Sequence, residues 1–300
     1  EPHETVERVG GRTREVDAIR HVAIVALHSR FARMSPTHHP LILQVPRSPH
    51  VVPGGSVTDQ VTRSHYRHTF VSGFADAYVP PTEPYTIEPS LPAFDDEYFD
   101  WVALVESVHE AKDRFVFMEL GAGYGRWLVR ALKLASDWRR IPAFAIAAEA
   151  EPEHFAFIQQ HMRDNGIDPA AHCLANVAVD GKPGTVQFAV GSASGWYGQS
   201  IARHDPEVQT REMPAVTIEM LIEQAGVTRI DLLHMDVQRA EAVIIPASRE
   251  ALKRHVHRIC VGIHGKAGEK VRATLAADGW HSEVDYPRKT CLLYTSDAAD

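Results

Sequence analysis

Three hundred residues, 44% hydrophobic and 23% charged, fit one large soluble domain or a domain with an extension. A net charge of −8 offers no general attraction for nucleic acid or an anionic membrane, and no stretch approaches the ~20 apolar residues of a membrane helix. Cys173, Cys260 and Cys291 have no metal-ligand spacing and are odd in number, so no disulfide framework is expected and a reducing cytoplasm fits best.

Residues 17–34 (DAIRHVAIVALHSRFARM) have the apolar stripe of a helix. Residues 36–92 are rich in Pro, Gly, Ser and Thr, with β-prone pieces LILQV and HTFVSGF. Residues 1–93 therefore read as an N-terminal extension whose structure the pattern leaves open. No signal peptide is visible, and the start at Glu1 rather than Met allows for a missing N-terminal piece. A helix over 94–109 enters the main domain, with Trp101, Leu104, Val105 and Val108 on one stripe.

From Phe115 onward strands and helices alternate. Strands are expected at 115–120, 144–149, 172–179, 186–190, 230–237, 258–265 and near 279–286. Helices are expected at 126–135, 154–165, 217–225, 241–255 and 269–277, with an irregularity at Pro246. Such alternation predicts an α/β fold: a doubly wound, mostly parallel, Rossmann-like sheet with helices on both faces, spanning 94–290. Residues 291–300 (CLLYTSDAAD) break the pattern and resemble translated adapter read-through, so they are set aside from the fold as a non-native tail.

The most informative stretch is FVFMELGAGYG at 115–125. An apolar run ends in Glu119 and opens into Gly121, Ala122, Gly123 and Gly125, and an amphipathic helix follows. Strand, Gly-rich turn and helix present a nucleotide-like ligand to a helix N-terminus. The spacing is E-x-G-x-G-x-G, not the dinucleotide G-x-G-x-x-G, whose third glycine position holds Arg126. Glu119 would repel a pyrophosphate and attract a cationic amino acid end. Both points favour S-adenosylmethionine over NAD.

Glu149 ends the second strand, 24 residues beyond Gly125, close to the ~20 expected for an acid that accepts from ribose hydroxyls. Glu151 competes for that role, although an acid there also suits a helix N-terminus. Asn176 and Ala178 sit at the end of strand three, where they would border the adenine or simply form a strand exit, and Ala150, beside Glu149, is a further candidate cofactor contact. Trp196 and Tyr197, on a Gly/Ser-rich loop at 191–201, would cover substrate or anchor the loop. Asp236 and His264 end adjacent apolar strands at the same edge. Together they could converge on one substrate hydroxyl and remove its proton, or they could be a turn cap and a polar strand end. The histidine clusters His38–His39, His65 with His68 and His255 with His257 lack partners at metal-ligand spacing.

These residues resemble the FkbM family of S-adenosylmethionine-dependent methyltransferases. The matching pieces are MELGAGYGRW (118–127), AEAEPEHF (148–155), RDNGID (163–168), IDLLHMDVQRAE (230–241) and GIHG (262–265). The resemblance covers roughly 94–287. It implies a class I methyltransferase fold and O-methylation of a sugar, polyketide or other small-molecule hydroxyl. Three positions depart from the family pattern: His234 for a frequent Lys, Gln238 for Glu, and Arg239 for Gly. The last would reshape the turn after Asp236 if that turn needs a positive φ.

The leading function is a small-molecule methyltransferase using S-adenosylmethionine, with a small-molecule or saccharide acceptor and neither nucleic acid nor membrane as partner. The alternatives are an NAD-dependent oxidoreductase, disfavoured by the glycine spacing, and a non-catalytic cofactor-binding partner subunit, which Arg239 keeps open.

Overall fold

The computed structural model describes residues 37–59, 61–70, 79–95, 97–191, 199–201, 209–264, 267–285 and 290–295; for the last group only the backbone is described. The chain forms two compact units, Glu1–His39 and Pro40–Asp300. Everything below concerns the second. The helix expected at 17–34 and most of HTFVSGF lie outside the described residues.

A seven-stranded sheet is the centre of the fold. Its strands are β5 (Phe115–Leu120), β6 (Ala143–Ala148), β7 (Cys173–Ala175), β11 (Ile230–Met235), β12 (Val256–Ile263), β13 (His281–Asp285) and β14 (Thr290–Thr295), in the order β7-β6-β5-β11-β12-β14-β13. The five strands from β7 to β12 are parallel, while β14 runs antiparallel to both its neighbours. The chain winds outward from β5 to β7, then returns to β11 on the other side of β5. That reversal makes the β5–β11 pair the switch point, where the carboxyl ends of the strands border a crevice.

All six residues of β5 and of β11 are buried, and the pleat sends alternate side chains to opposite faces. Phe115 and Phe117 join one core with Trp101, Leu104, Val108 and Leu128. Val116, Met118 and Leu120 join the other, with Ile222, Ile244, Leu252 and Leu275. The first core is supplied by helices α2 (Tyr98–Glu110) and α3 (Arg126–Lys133), the second by α5 (Ile218–Ala225), α6 (Glu241–Ala247), α7 (Arg249–His255) and α8 (Ala267–Ala277). Helix α4 (Pro152–Asp164) follows β6 and adds Ile158 and Met162 to the first core.

Several expectations are corrected. LILQV is not β-structure: Pro40–Gln44 is a short helix, α1, with Ile42 buried. Residues 40–93 do not stand apart from the domain. They supply the antiparallel pairs β1 (His50–Val52) with β4 (Tyr85–Ile87) and β2 (Ser56–Thr58) with β3 (His65–Arg67). His65 N–H donates to Asn165 Oδ1 (3.0 Å), and Asn165 Nδ2 donates back to the His65 carbonyl (2.7 Å). Buried Asp59 accepts from Arg130 at 2.5 Å, and that guanidinium lies 4.3 Å and 4.2 Å from the ring centres of Trp101 and Trp127.

The third strand is divided. Cys173–Ala175 stays in the main sheet as β7, while β8 (Ala178–Val179) leaves to pair with β10 (Thr210–Val216). The expected strand at 186–190 is β9 (Gly184–Ala189), and it also joins this small sheet, of order β8-β10-β9. Strand β10 was not expected from the sequence, and it pairs through Pro214. The helix at 241–255 breaks at Ser248, two residues after Pro246, into α6 and α7. Residues 291–295, set aside as tail, form most of β14, between β12 and β13, and so belong to the sheet.

Candidate active site

A cavity of about 460 Å³ opens at the carboxyl ends of β5, β6, β11 and β12. Glu119, Gly121, Ala122, Gly123, Glu149, Ala150, Ala178, Asp236 and His264 line it, so most of the residues singled out in the sequence converge here. Gly125 and Asn176 do not line it. Gly125 is the left-handed N-cap of α3. Asn176 braces the wall from behind, donating to the carbonyls of Glu149 (2.8 Å) and Ala150 (3.1 Å). Trp196 and Tyr197 lie outside the described residues.

The turn after β5 is shaped by close backbone approach. Gly121 has φ +77°, and a Cβ there would lie 2.0 Å from the Asp236 carbonyl oxygen. Glycine at 121 is thus required both by its dihedral and by the contact between the ends of β5 and β11. Gly123 N–H donates to Glu149 Oε2 (2.7 Å), and Glu151 N–H donates to Glu149 Oε1 (2.8 Å). Burial raises the Glu149 carboxyl to about 7, against the pull of these two donors. Each oxygen retains a second lone pair for a ligand hydroxyl. Glu151 caps α4, accepting from His154 N–H at 2.6 Å, and does not line the cavity.

Glu119 is 2% exposed and is raised to about 7 by burial, which the nearby His234 opposes. Its Oε2 is buried and has no hydrogen-bond partner among the described residues. In contrast, the buried acid at the start of β11, Asp231, is satisfied by Val116 N–H and Arg229, both at 2.8 Å. His234 lies directly opposite Glu119 in the β5–β11 register. Its Nδ1 is 3.7 Å from Glu119 Oε1, and its Nε2 is 3.5 Å from Asp100 Oδ1. Burial disfavours the imidazolium, but the hydrogen bond to Asp100 and the surrounding carboxylates prevail and raise its pKa.

Asp236 and His264 meet as expected: His264 Nε2 is 3.5 Å from Asp236 Oδ1. Two further contacts were not foreseen. Glu241, fully buried at the start of α6, accepts from His264 Nδ1 at 3.1 Å. Gln238 Nε2 donates to Asp236 Oδ1 at 2.9 Å. The Glu241 bond raises the His264 pKa, with burial opposing it. Burial raises the Asp236 pKa, with His264 opposing it. The turn after Asp236 does need positive φ: Gln238 sits at 51° and Arg239 at 84°. Holding these two residues there carries a steric cost of about 1–2 kcal/mol per left-handed non-glycine residue.

The sequence reading also missed Asp100, Trp127, His234 and Gln199 as cavity residues. His234 had a signal, an imidazole within an apolar strand. Asp100 is an ordinary polar position on an amphipathic helix, and nothing local marks it.

Residues 119–286 match the family model described as Methyltransferase FkbM domain. The chain belongs to the FkbM methyltransferase family. It is a methyltransferase by that family match, and the strand order gives it the class I, Rossmann-like fold. A curated protein of Jannaschia sp. (strain CCS1), named "Putative methyltransferase", is 26% identical over 199 residues, covering 63% of this chain and 70% of that one. Among solved structures, methyltransferase FkbM from Methylobacillus flagellatus KT is 11% identical with a TM-score of 0.43, covering 67% of this chain and 55% of that one. Ribosomal protein L11 methylase from Lactobacillus delbrueckii subsp. bulgaricus is 12% identical with a TM-score of 0.38, covering 66% and 79%. No helix among the described residues of this FkbM-family chain is long and apolar enough to cross a membrane.

Proposed function

We propose that this methyltransferase binds S-adenosylmethionine across the ends of β5 and β6 and methylates a hydroxyl oxygen of a small molecule or sugar. The observation that carries the reading is Glu119. A buried carboxylate oxygen without a partner, in the wall of a cavity, is costly unless a ligand cation meets it. The ammonium of an amino acid end fits that need, whereas a pyrophosphate does not. Glu149 keeps acceptor capacity for two ribose hydroxyls one strand away. The residues present therefore fit the cofactor.

When bound, the cofactor supplies a methyl group already activated by the sulfonium, so positioning provides most of the acceleration. The chain's task is to hold the acceptor oxygen in line and to take its proton as the O–C bond forms and the S–C bond breaks. His264 is built for this role. With Nδ1–H donated to Glu241, its Nε2, 3.5 Å from Asp236 Oδ1, keeps the lone pair that can accept the hydroxyl proton. Asp236, held by Gln238, stabilises the resulting imidazolium. A cavity of this size and a net charge of −8 suit a small neutral or cationic acceptor better than a nucleic acid.

Calorimetry with S-adenosylhomocysteine and with NAD tests the cofactor. Micromolar affinity, about 8 kcal/mol, is expected for the first and none for the second; the reverse would sink the proposal. Transfer of tritiated methyl to a panel of hydroxylated small molecules tests the chemistry. Cofactor binding with no transfer to any acceptor would favour a non-catalytic subunit.

A further inference from the structure

Gln199 is 7% exposed and lines the cavity, yet neither Oε1 nor Nε2 has a hydrogen-bond partner among the described residues. Leaving both ends of an amide buried and unpaired is costly. The position is not slack. Ala189 N–H donates to the Ser200 carbonyl at 2.9 Å, and Ile201 bridges to Phe188, so the backbone just after Gln199 is fastened to β9. Such a side chain is prepared for a ligand that offers an acceptor beside a donor.

The surroundings narrow that ligand. Ala150, Ala178, Val179, Phe188 and Ile201 line the same cavity with apolar surface, and Ala150, Ala178 and Phe188 pack together in one cluster. Ala150 follows Glu149 directly, so this apolar wall continues from the place where the ribose hydroxyls would be held. A group attached to that ribose, flat and apolar on its faces, with a donor next to an acceptor on its edge, is a 6-aminopurine. A glutamine amide matches that edge with two parallel hydrogen bonds.

We infer that Gln199 is the base-reading residue of the cofactor site: Oε1 accepts from the exocyclic amine and Nε2 donates to the adjacent ring nitrogen. This rests on the cofactor proposal above and adds to it the means of base selection, supplied from the strap beside β9 rather than from the glycine turn.

The test is a binding cycle by calorimetry, with no turnover required. The two ligands are S-adenosylhomocysteine and its analogue with unsubstituted purine in place of adenine, which lacks the amine. The proteins are wild type, Gln199→Leu, which keeps the shape without polar atoms, and Gln199→Glu, which keeps the acceptor. Wild type should prefer the adenine ligand by about tenfold or more. Gln199→Leu should lose that preference, while Gln199→Glu should retain part of it because an oxygen still meets the amine. Thermal melts of all three proteins, with and without ligand, report folding separately. If Gln199→Leu weakens both ligands equally, or if wild type binds S-adenosylhomocysteine without preferring it, the inference fails and the cofactor proposal stands. If wild type binds neither ligand, both fail.

Discussion

His234 and Glu119 face each other across the β5–β11 pair, Nδ1 3.7 Å from Oε1, both buried at the floor of the cavity. The pair couples the charge of the acid proposed to meet the cofactor's ammonium to a titratable neighbour.

Cofactor affinity should depend on pH. Burial holds the Glu119 carboxyl at about 7, so the carboxylate that would meet an ammonium takes up a proton as pH falls below that value. Affinity for S-adenosylhomocysteine should drop by about tenfold between about pH 7.5 and about pH 6. Glu119→Gln should bind weakly at both pH values. The sign for stability is the opposite of the usual carboxylate: the raised pKa means the folded state holds its proton more tightly, so this group's contribution falls as pH rises from about 4.5 to about 7. Glu119→Gln should therefore melt higher than wild type at neutral pH without ligand. An equal or lower melting temperature would show that His234 neutralises the carboxylate.

Substitutions of Glu149 and Glu151 should separate in their effects. Glu149→Ala should weaken S-adenosylhomocysteine at least tenfold, given roughly 1.5–3 kcal/mol for each charged hydrogen bond. It should also loosen the turn, because Gly123 and Glu151 N–H lose their acceptor. Glu151→Ala removes the cap of α4 and should lower the urea-unfolding free energy by about 1 kcal/mol, with affinity little changed. The reverse ranking by calorimetry would move the ribose role to Glu151.

Proton removal should report the Glu241–His264 bond. A base must be neutral to act, and the bond to Glu241 raises the His264 pKa above its ordinary value of about 6.5. The acidic limb of the rate profile should accordingly sit above about pH 6.5. Glu241→Gln should move that limb to lower pH, and His264→Ala should abolish it. Asp236→Asn and His264→Ala should each lower the transfer rate more than cofactor affinity. A limb that stays in place in His264→Ala would remove this residue from the mechanism.

Arg239 holds a left-handed backbone, φ 84°, in the turn that carries Asp236. Glycine adopts that conformation without the Cβ penalty, although it adds entropy to the unfolded chain. Arg239→Gly should raise the unfolding free energy by about 1 kcal/mol in urea, with cofactor affinity unchanged. A loss of stability would mean that contacts of the arginine side chain outweigh the strain.

The local pattern determined much of this protein. Buried parallel strands are written as apolar runs, so β5, β6, β11 and β12 are legible within a residue or two. Polar residues at the ends of such runs are conspicuous for the same reason. Glu119, Glu149, Asp236 and His264 could be named before any contact was known, because a doubly wound sheet collects strand ends at one edge.

What only the tertiary structure decided depends on chain segments far apart in sequence. Asp100 reaches the cavity because α2 packs over β11 and β12, and helical periodicity cannot show which polar position faces a crevice. Gln199 is marked by having no hydrogen-bond partner among the described residues, a property of its surroundings and not of its neighbours in the chain. The departure of β8 and β9 into a second sheet, the strand character of 210–216 despite Pro214, and the seating of 290–295 between β12 and β13 are likewise choices of backbone partner. A strand's hydrogen bonds are completed by another strand, and short segments carry too little side-chain pattern to say which one.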